Sequence, residues 1–141
     1  NIFIDVKNKE ASYQFSKRVL DWIDSGELKC VLSTVVIAEM CAGYHSAGEL
    51  DEKDDFLTHV VASQNYDIIE LSPGLADGAG RIRAATGLRL PDAIVAASAV
   101  RASADCLISN DTSLKNAENF IRVLTAKEFV QERISGREAK K

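Results

Sequence analysis

Five short runs of this chain are mostly apolar and lack strict alternation: residues 1–4, Cys30–Ser33, 66–71, 106–108 and 121–124. A strand with one wet face alternates apolar and polar residues. A strand covered on both faces has no need to. Between these runs lie stretches with helical periodicity, and chains that interleave buried strands with helices fold as parallel α/β structures. The expected fold is therefore α/β, a three-layer α/β/α sandwich around a central, mainly parallel sheet. One domain is expected over residues 1–141, since no internal repeat or low-complexity linker divides the chain.

The helices follow from spacing and from their end signals. Phe15, Val19, Trp22 and Ile23 recur at i, i+4, i+7 and i+8, which predicts a helix over Tyr13–Asp24 with Gly26 as its left-handed cap. A second helix is expected over residues 35–41, capped by Ser33 or Thr34 and with Gly43 near its end. The β-branched run Thr34-Val35-Val36-Ile37 could equally extend the strand. Residues 49–63 read as amphipathic, with Leu50, Leu57, Val60 and Val61 on one face. Ser72-Pro73 announces a helix that stops at Gly87.

Pro91 opens a helix of small apolar residues running to about Ser103, with Asp92 at its mouth. Such a helix reads as buried on most sides. A short helical turn near Leu114 and a last helix over residues 126–134 complete the pattern, and the charged tail 136–141 is expected to fray. Residues 5–10 read as a loop. The chain opens directly in an apolar run without methionine, so a strand beginning before Asn1 is expected.

Composition narrows the function classes. The net charge of −4 argues against a sequence-blind nucleic-acid coat, which needs a basic field. No stretch approaches the ~20 apolar residues of a membrane span. Cys30, Cys41 and Cys106 are odd in number, form no C-x-x-C pair and lie in apolar segments, which predicts reduced thiols in a cytosolic protein.

In an open α/β sheet, ligands collect beyond the carboxyl ends of the strands. Three acids fall there: Glu39, about one and a half turns past the second strand; Asp92; and Asp111, which ends Ser109-Asn110-Asp111 after the fourth strand. Each has a purely structural explanation. Asp92 suits the helix dipole, Asp111 suits a helix cap, and Glu39 suits a solvated face. Gathered at one edge, the three would instead repel one another unless a cation were bound. Hard carboxylate ligands suit Mg²⁺ or Mn²⁺.

Ser33-Thr34-Val35-Val36-Ile37-Ala38-Glu39, Leu90-Pro91-Asp92-Ala93-Ile94-Val95-Ala96-Ala97 and Leu107-Ile108-Ser109-Asn110-Asp111 together resemble, in order and spacing, the PIN-domain ribonucleases, and among them the VapC-type toxins of toxin–antitoxin pairs. That resemblance implies an Mg²⁺- or Mn²⁺-dependent endoribonuclease with Glu39, Asp92 and Asp111 as metal-site acids. Ser109 would stand for the family's Ser/Thr that orients water or metal. It also implies an RNA substrate, a homodimer, and an antitoxin whose tail enters the acidic groove. Asn1-Ile2-Phe3-Ile4 matches only the tail of the family's opening motif, which places the first aspartate of that motif two residues before Asn1. Asp5 does not take its place.

The remaining signals point elsewhere or nowhere. Arg81, Arg83 and Arg89 suit either RNA phosphates or a solvated helix face. His45 and His59 lack zinc-ligand spacing and read as surface residues. Gly74, Gly78 and Gly80 lack the P-loop lysine, and no G-x-S-x-G elbow occurs. A rival reading is a non-catalytic PIN-like module that binds RNA or protein. A phosphatase- or receiver-like protein is a weaker one, because no phospho-acceptor aspartate and lysine pair can be placed.

Overall fold

The computed structural model describes Phe3 and residues 13–139. Its elements run α1 (Tyr13–Asp24), β1 (Cys30–Ser33), α2 (Thr34–Ala47), α3 (Leu50–Ala62), β2 (Tyr66–Ile69), α4 (Pro73–Thr86), α5 (Leu90–Arg101), β3 (Leu107–Ile108), a 3₁₀ turn (Thr112–Ala117), β4 (Val123–Leu124) and α6 (Ala126–Ala139). Strands pair in parallel, in keeping with their continuous apolar runs. β1 lies beside β2 with Cys30 opposite Tyr66 and Ser33 opposite Ile69. β3 lies beside β4 with Leu107 opposite Val123. The α/β class with parallel pairing is as expected, but among the described residues the sheet is in two halves, β1–β2 and β3–β4.

The element ends show which local signals won. Ser72 caps α4, its Oγ accepting the Leu75 N–H at 3.2 Å, and Gly87 closes the helix at φ +73°. Thr34 to Ile37 are helical rather than extended, because Ser33 Oγ accepts the Val35 N–H at 3.2 Å and so starts α2. That helix passes through Gly43 and ends at Gly48, φ +71°. Tyr44 explains the extra turn: its ring packs on Phe56 of α3 at 6.0 Å. α6 begins with a reciprocal cap in which the Glu128 N–H donates to Thr125 Oγ1 and the Thr125 N–H donates to Glu128 Oε1.

Three expectations are corrected. Phe3 is helical, so the strand read over residues 1–4 does not hold there, and the other residues of that run and the loop 5–10 lie outside the described residues. A run with only three apolar residues cannot by periodicity tell a strand from a helical turn. α6 continues to Ala139, past Ile134, because Arg137 stacks over Trp22 (5.4 Å) and pairs with Glu27 (3.1 Å). The three strands read over 66–71, 106–108 and 121–124 are shorter than expected, ending where pairing ends.

The core has two lobes. One joins Val19, Trp22 and Ile23 of α1 to Leu32, Phe56, Val60 and Tyr66. The other is built on α4 and α5, where Ala93, Ala96 and Ala97 are buried against Leu75, Ala79 and Ile82. Small side chains on α5 let α4 approach closely, so the expected burial of this helix is met. Ile82 is 2% exposed. Ile82→Ala is expected to lower unfolding free energy by ~2–5 kcal/mol through the cavity it leaves, and Ser72→Ala by ~1 kcal/mol through the lost cap. Urea denaturation followed by circular dichroism checks both.

Candidate active site

Within each parallel pair the strands' carboxyl ends, and the chain that leaves them, lie on one side of that pair. β1 leads into α2, whose second turn carries Glu39. β3 leads into Ser109-Asn110-Asp111. α5 brings Asp92 in its first turn. All four predicted site residues, Glu39, Asp92, Ser109 and Asp111, line one cavity of about 460 Å³, together with Arg89.

Each side chain is held differently. Glu39 is exposed on α2, not enclosed by its apolar neighbours in sequence. Asp92 is largely buried, with its side chain 17% exposed, and has Arg89 Nε 3.7 Å from Oδ2. That is an ion pair too long to be a hydrogen bond. Asp111 is the cap of the 3₁₀ turn, as its structural explanation required. The Ser113 hydroxyl donates to Asp111 Oδ1 at 2.7 Å and the Ser113 N–H at 3.0 Å. These two bonds, the hydroxyl's first, hold the Asp111 carboxyl below its ordinary pKa.

Ser109 is buried, and its Oγ accepts the Asp111 N–H at 3.1 Å. It therefore shapes the backbone that presents Asp111. Asn110 between them does a job not foreseen from sequence. Its Nδ2 donates to Ser16 Oγ of α1 at 3.0 Å, and its Oδ1 accepts the Ala126 N–H at the start of α6 at 3.1 Å. One amide thus fastens the loop to two helices. Its only signal in the sequence was the type of residue, an Asn just past a strand.

The arginines divide. Arg83 Nη1 donates to the Leu88 carbonyl at 2.8 Å and so shapes the loop before α5. Arg89 lies on the cavity wall, and Arg81 faces a smaller hollow between α4 and α5. His45 and His59 are surface residues, His59 paired with Asp24 at 2.9 Å. Cys30, Cys41 and Cys106 are free thiols, and burial pushes the Cys30 thiol up to about 12.

The donor set is carboxylate oxygen, the chemistry that Mg²⁺ and Mn²⁺ prefer. Among the described residues, no three His, Cys, Asp or Glu side chains stand as a ready-made metal cluster. Glu39, Asp92 and Asp111 line the same cavity from three elements without standing together as such a cluster.

The PIN domain matches residues 1–119 of this chain, which belongs to the PIN-domain family. Members of that family are typically metal-dependent nucleases that bind RNA. No curated protein matches the chain.

Ser113→Ala is expected to move the Asp111 pKa up toward the usual carboxylate range, read by NMR titration of the side-chain carboxyl. A carboxyl whose folded pKa is depressed stabilises the fold above its unfolded pKa, and that contribution is lost as pH falls through the folded pKa. The wild-type 3₁₀ turn should therefore loosen at a lower pH than the variant's.

Proposed function

We propose that this chain is a divalent-metal-dependent endoribonuclease in which Glu39, Asp92 and Asp111 hold Mg²⁺ or Mn²⁺. The supporting observation is that three carboxylates from three elements line one cavity in a chain of the PIN family. The ion, when bound, lowers the pKa of a water and offsets charge on a phosphodiester. The protein's own part is placement. Ser109, through the Asp111 N–H, fixes where that carboxylate points. Arg89 supplies positive charge at the cavity wall for a phosphate while moderating the charge on Asp92. The sequence likeness to VapC-type toxins supports a finer reading: a homodimeric toxin neutralised by an antitoxin peptide in the acidic groove.

One observation favours a second reading, a non-catalytic RNA- or protein-binding module of the same fold. Asp111 Oδ1 already accepts two hydrogen bonds from Ser113, which an ion would have to share or displace.

Cleavage of a structured RNA with and without Mg²⁺ tests the proposal. Asp92→Asn and Asp111→Asn are expected to lower the rate about a hundredfold or more while circular dichroism stays unchanged. Undiminished cleavage in excess EDTA contradicts metal dependence. RNA binding without cleavage at any metal concentration favours the second reading.

A further inference from the structure

The seam between α1 and α6 carries a row of cations outside the acidic cavity. Arg18, Arg133 and Arg137 all stack on Trp22, with their guanidinium carbons 5.5, 5.0 and 5.4 Å from the ring centroid. Lys127 extends the row, its Nζ 5.9 Å from the centroid of the Phe15 ring. Lys127 meets Phe15 near the start of both helices and Arg133 meets Trp22 further along, so the two helices run side by side in the same direction. At the helical rise, the row spans about 15 Å from Lys127 to Arg137.

These cations lack the anions that would offset them. Among the described residues, Arg18, Arg133 and Lys127 form no ion pair or hydrogen bond, and only Arg137 has a carboxylate, Glu27 at 3.1 Å. Acids of both helices are engaged elsewhere: Asp21 with Lys17, Asp24 with His59, Glu128 with Lys115 and Glu132 with Arg122. Arg133 is half-buried, and its Nε is a buried donor without a hydrogen-bond partner. Native proteins seldom leave a buried donor in that state. Three guanidinium groups on one ring repel one another. An anion lying among them offsets that repulsion and accepts their unbonded N–H groups.

We infer that this seam is a phosphate track, formed by Arg18, Lys127, Arg133 and Arg137, that holds the backbone of an RNA strand outside the acidic cavity. The choice of RNA rests on the nuclease reading above. Guanidinium forks match phosphate oxygens, and a row of cations at successive turns suits a chain of phosphates rather than a single ion. Trp22 is 7% exposed beneath its arginines, so the ring positions cations and does not stack on a base. Contacts of this kind fix the strand's position and carry no direct base readout.

Continuity with the candidate site comes from Asn110, which Asp111 follows in sequence. Its side chain bonds Ser16 Oγ, two residues before Arg18, and the Ala126 N–H, one residue before Lys127. The row therefore starts beside the loop that carries Asp111 and leads away from it. A chain with a net charge of −4 has no overall basic field to hold RNA, so local cations next to the acids must do so.

Binding of a labelled single-stranded RNA in EDTA, read by fluorescence anisotropy over a series of salt concentrations, tests this without requiring cleavage. Arg18→Gln with Lys127→Gln, both at exposed positions, is expected to weaken binding about tenfold and to make the slope of log K against log salt shallower by about 1.4, as for two lost phosphate contacts. Arg18→Lys with Lys127→Arg keeps the charge and should keep the slope. Lys53→Gln with Arg81→Gln removes the same charge from α3 and α4 and should change neither quantity. In the unmodified chain, RNA should shift the amide NMR signals of Arg18, Lys127, Arg133 and Arg137, a readout that needs no variant. Unchanged affinity and slope, or an equal loss in the Lys53 and Arg81 variant, overturns the track. Loss of polyglutamate binding with RNA binding intact assigns the seam to an acidic polypeptide and also overturns it. Track-dependent RNA binding without cleavage at any Mg²⁺ concentration keeps the track and overturns the nuclease reading. Metal-dependent cleavage with unchanged binding does the reverse.

Discussion

Everything at the acidic cavity depends on strand direction. Because β1 pairs with β2, and β3 with β4, in parallel, the chain must return by a crossover after each strand, and within each half-sheet the carboxyl ends point the same way. Glu39 and Asp111 are 72 residues apart in sequence yet line one cavity. Asp92 reaches the same cavity from α5, which follows α4 directly, so tertiary packing rather than any one local motif brings the three acids to its lining.

Topology brings the elements to one edge, and a few polar contacts fix the loops there. The Asn110 amide is the most connected of these, joining the Asp111 loop to α1 and to the start of α6. Ser33 and Ser109 play matching parts after β1 and β3. Each is a buried serine whose hydroxyl accepts an N–H two residues on, turning the chain sharply out of the strand. Packing of the small residues of α5 against α4 then holds Asp92 at the cavity rim. The result is a site whose backbone is fixed while two of its three carboxylates, Glu39 and Asp111, stay exposed.

Features encoded over a few residues were legible in the sequence. Ser72-Pro73 and Gly87 bounded α4 correctly, and the periodicity of Val19, Trp22 and Ile23 gave α1. Gly43 misled because its helix is carried on by Tyr44 packing on Phe56, a contact made by tertiary structure. The end of α6 was missed for the same reason, since Arg137 is held by Trp22 and Glu27. Asn110 escaped notice because Ser16, one of its partners, is 94 residues away. Glu39 and Asp111 could be singled out by their position after strands, and they line one cavity with Asp92, whereas the pairing of Asp111 with Ser113 and the two-part sheet depend on three-dimensional placement. Glu39 has apolar neighbours in sequence, but on a helix these point to different faces, and Glu39 stays exposed while lining the cavity.

The central claim is that acids from α2, α5 and the loop after β3 form a single divalent-cation site. Mn²⁺ is paramagnetic, so titrating it into labelled protein erases NMR signals nearest the bound ion first. The account predicts that resonances of Glu39, Asp92 and Asp111 vanish together at the lowest Mn²⁺ and return when Mg²⁺ competes. Loss centred instead on the exposed acids Asp51, Glu52, Asp54 and Asp55 of α3, with the cavity signals intact, would contradict it.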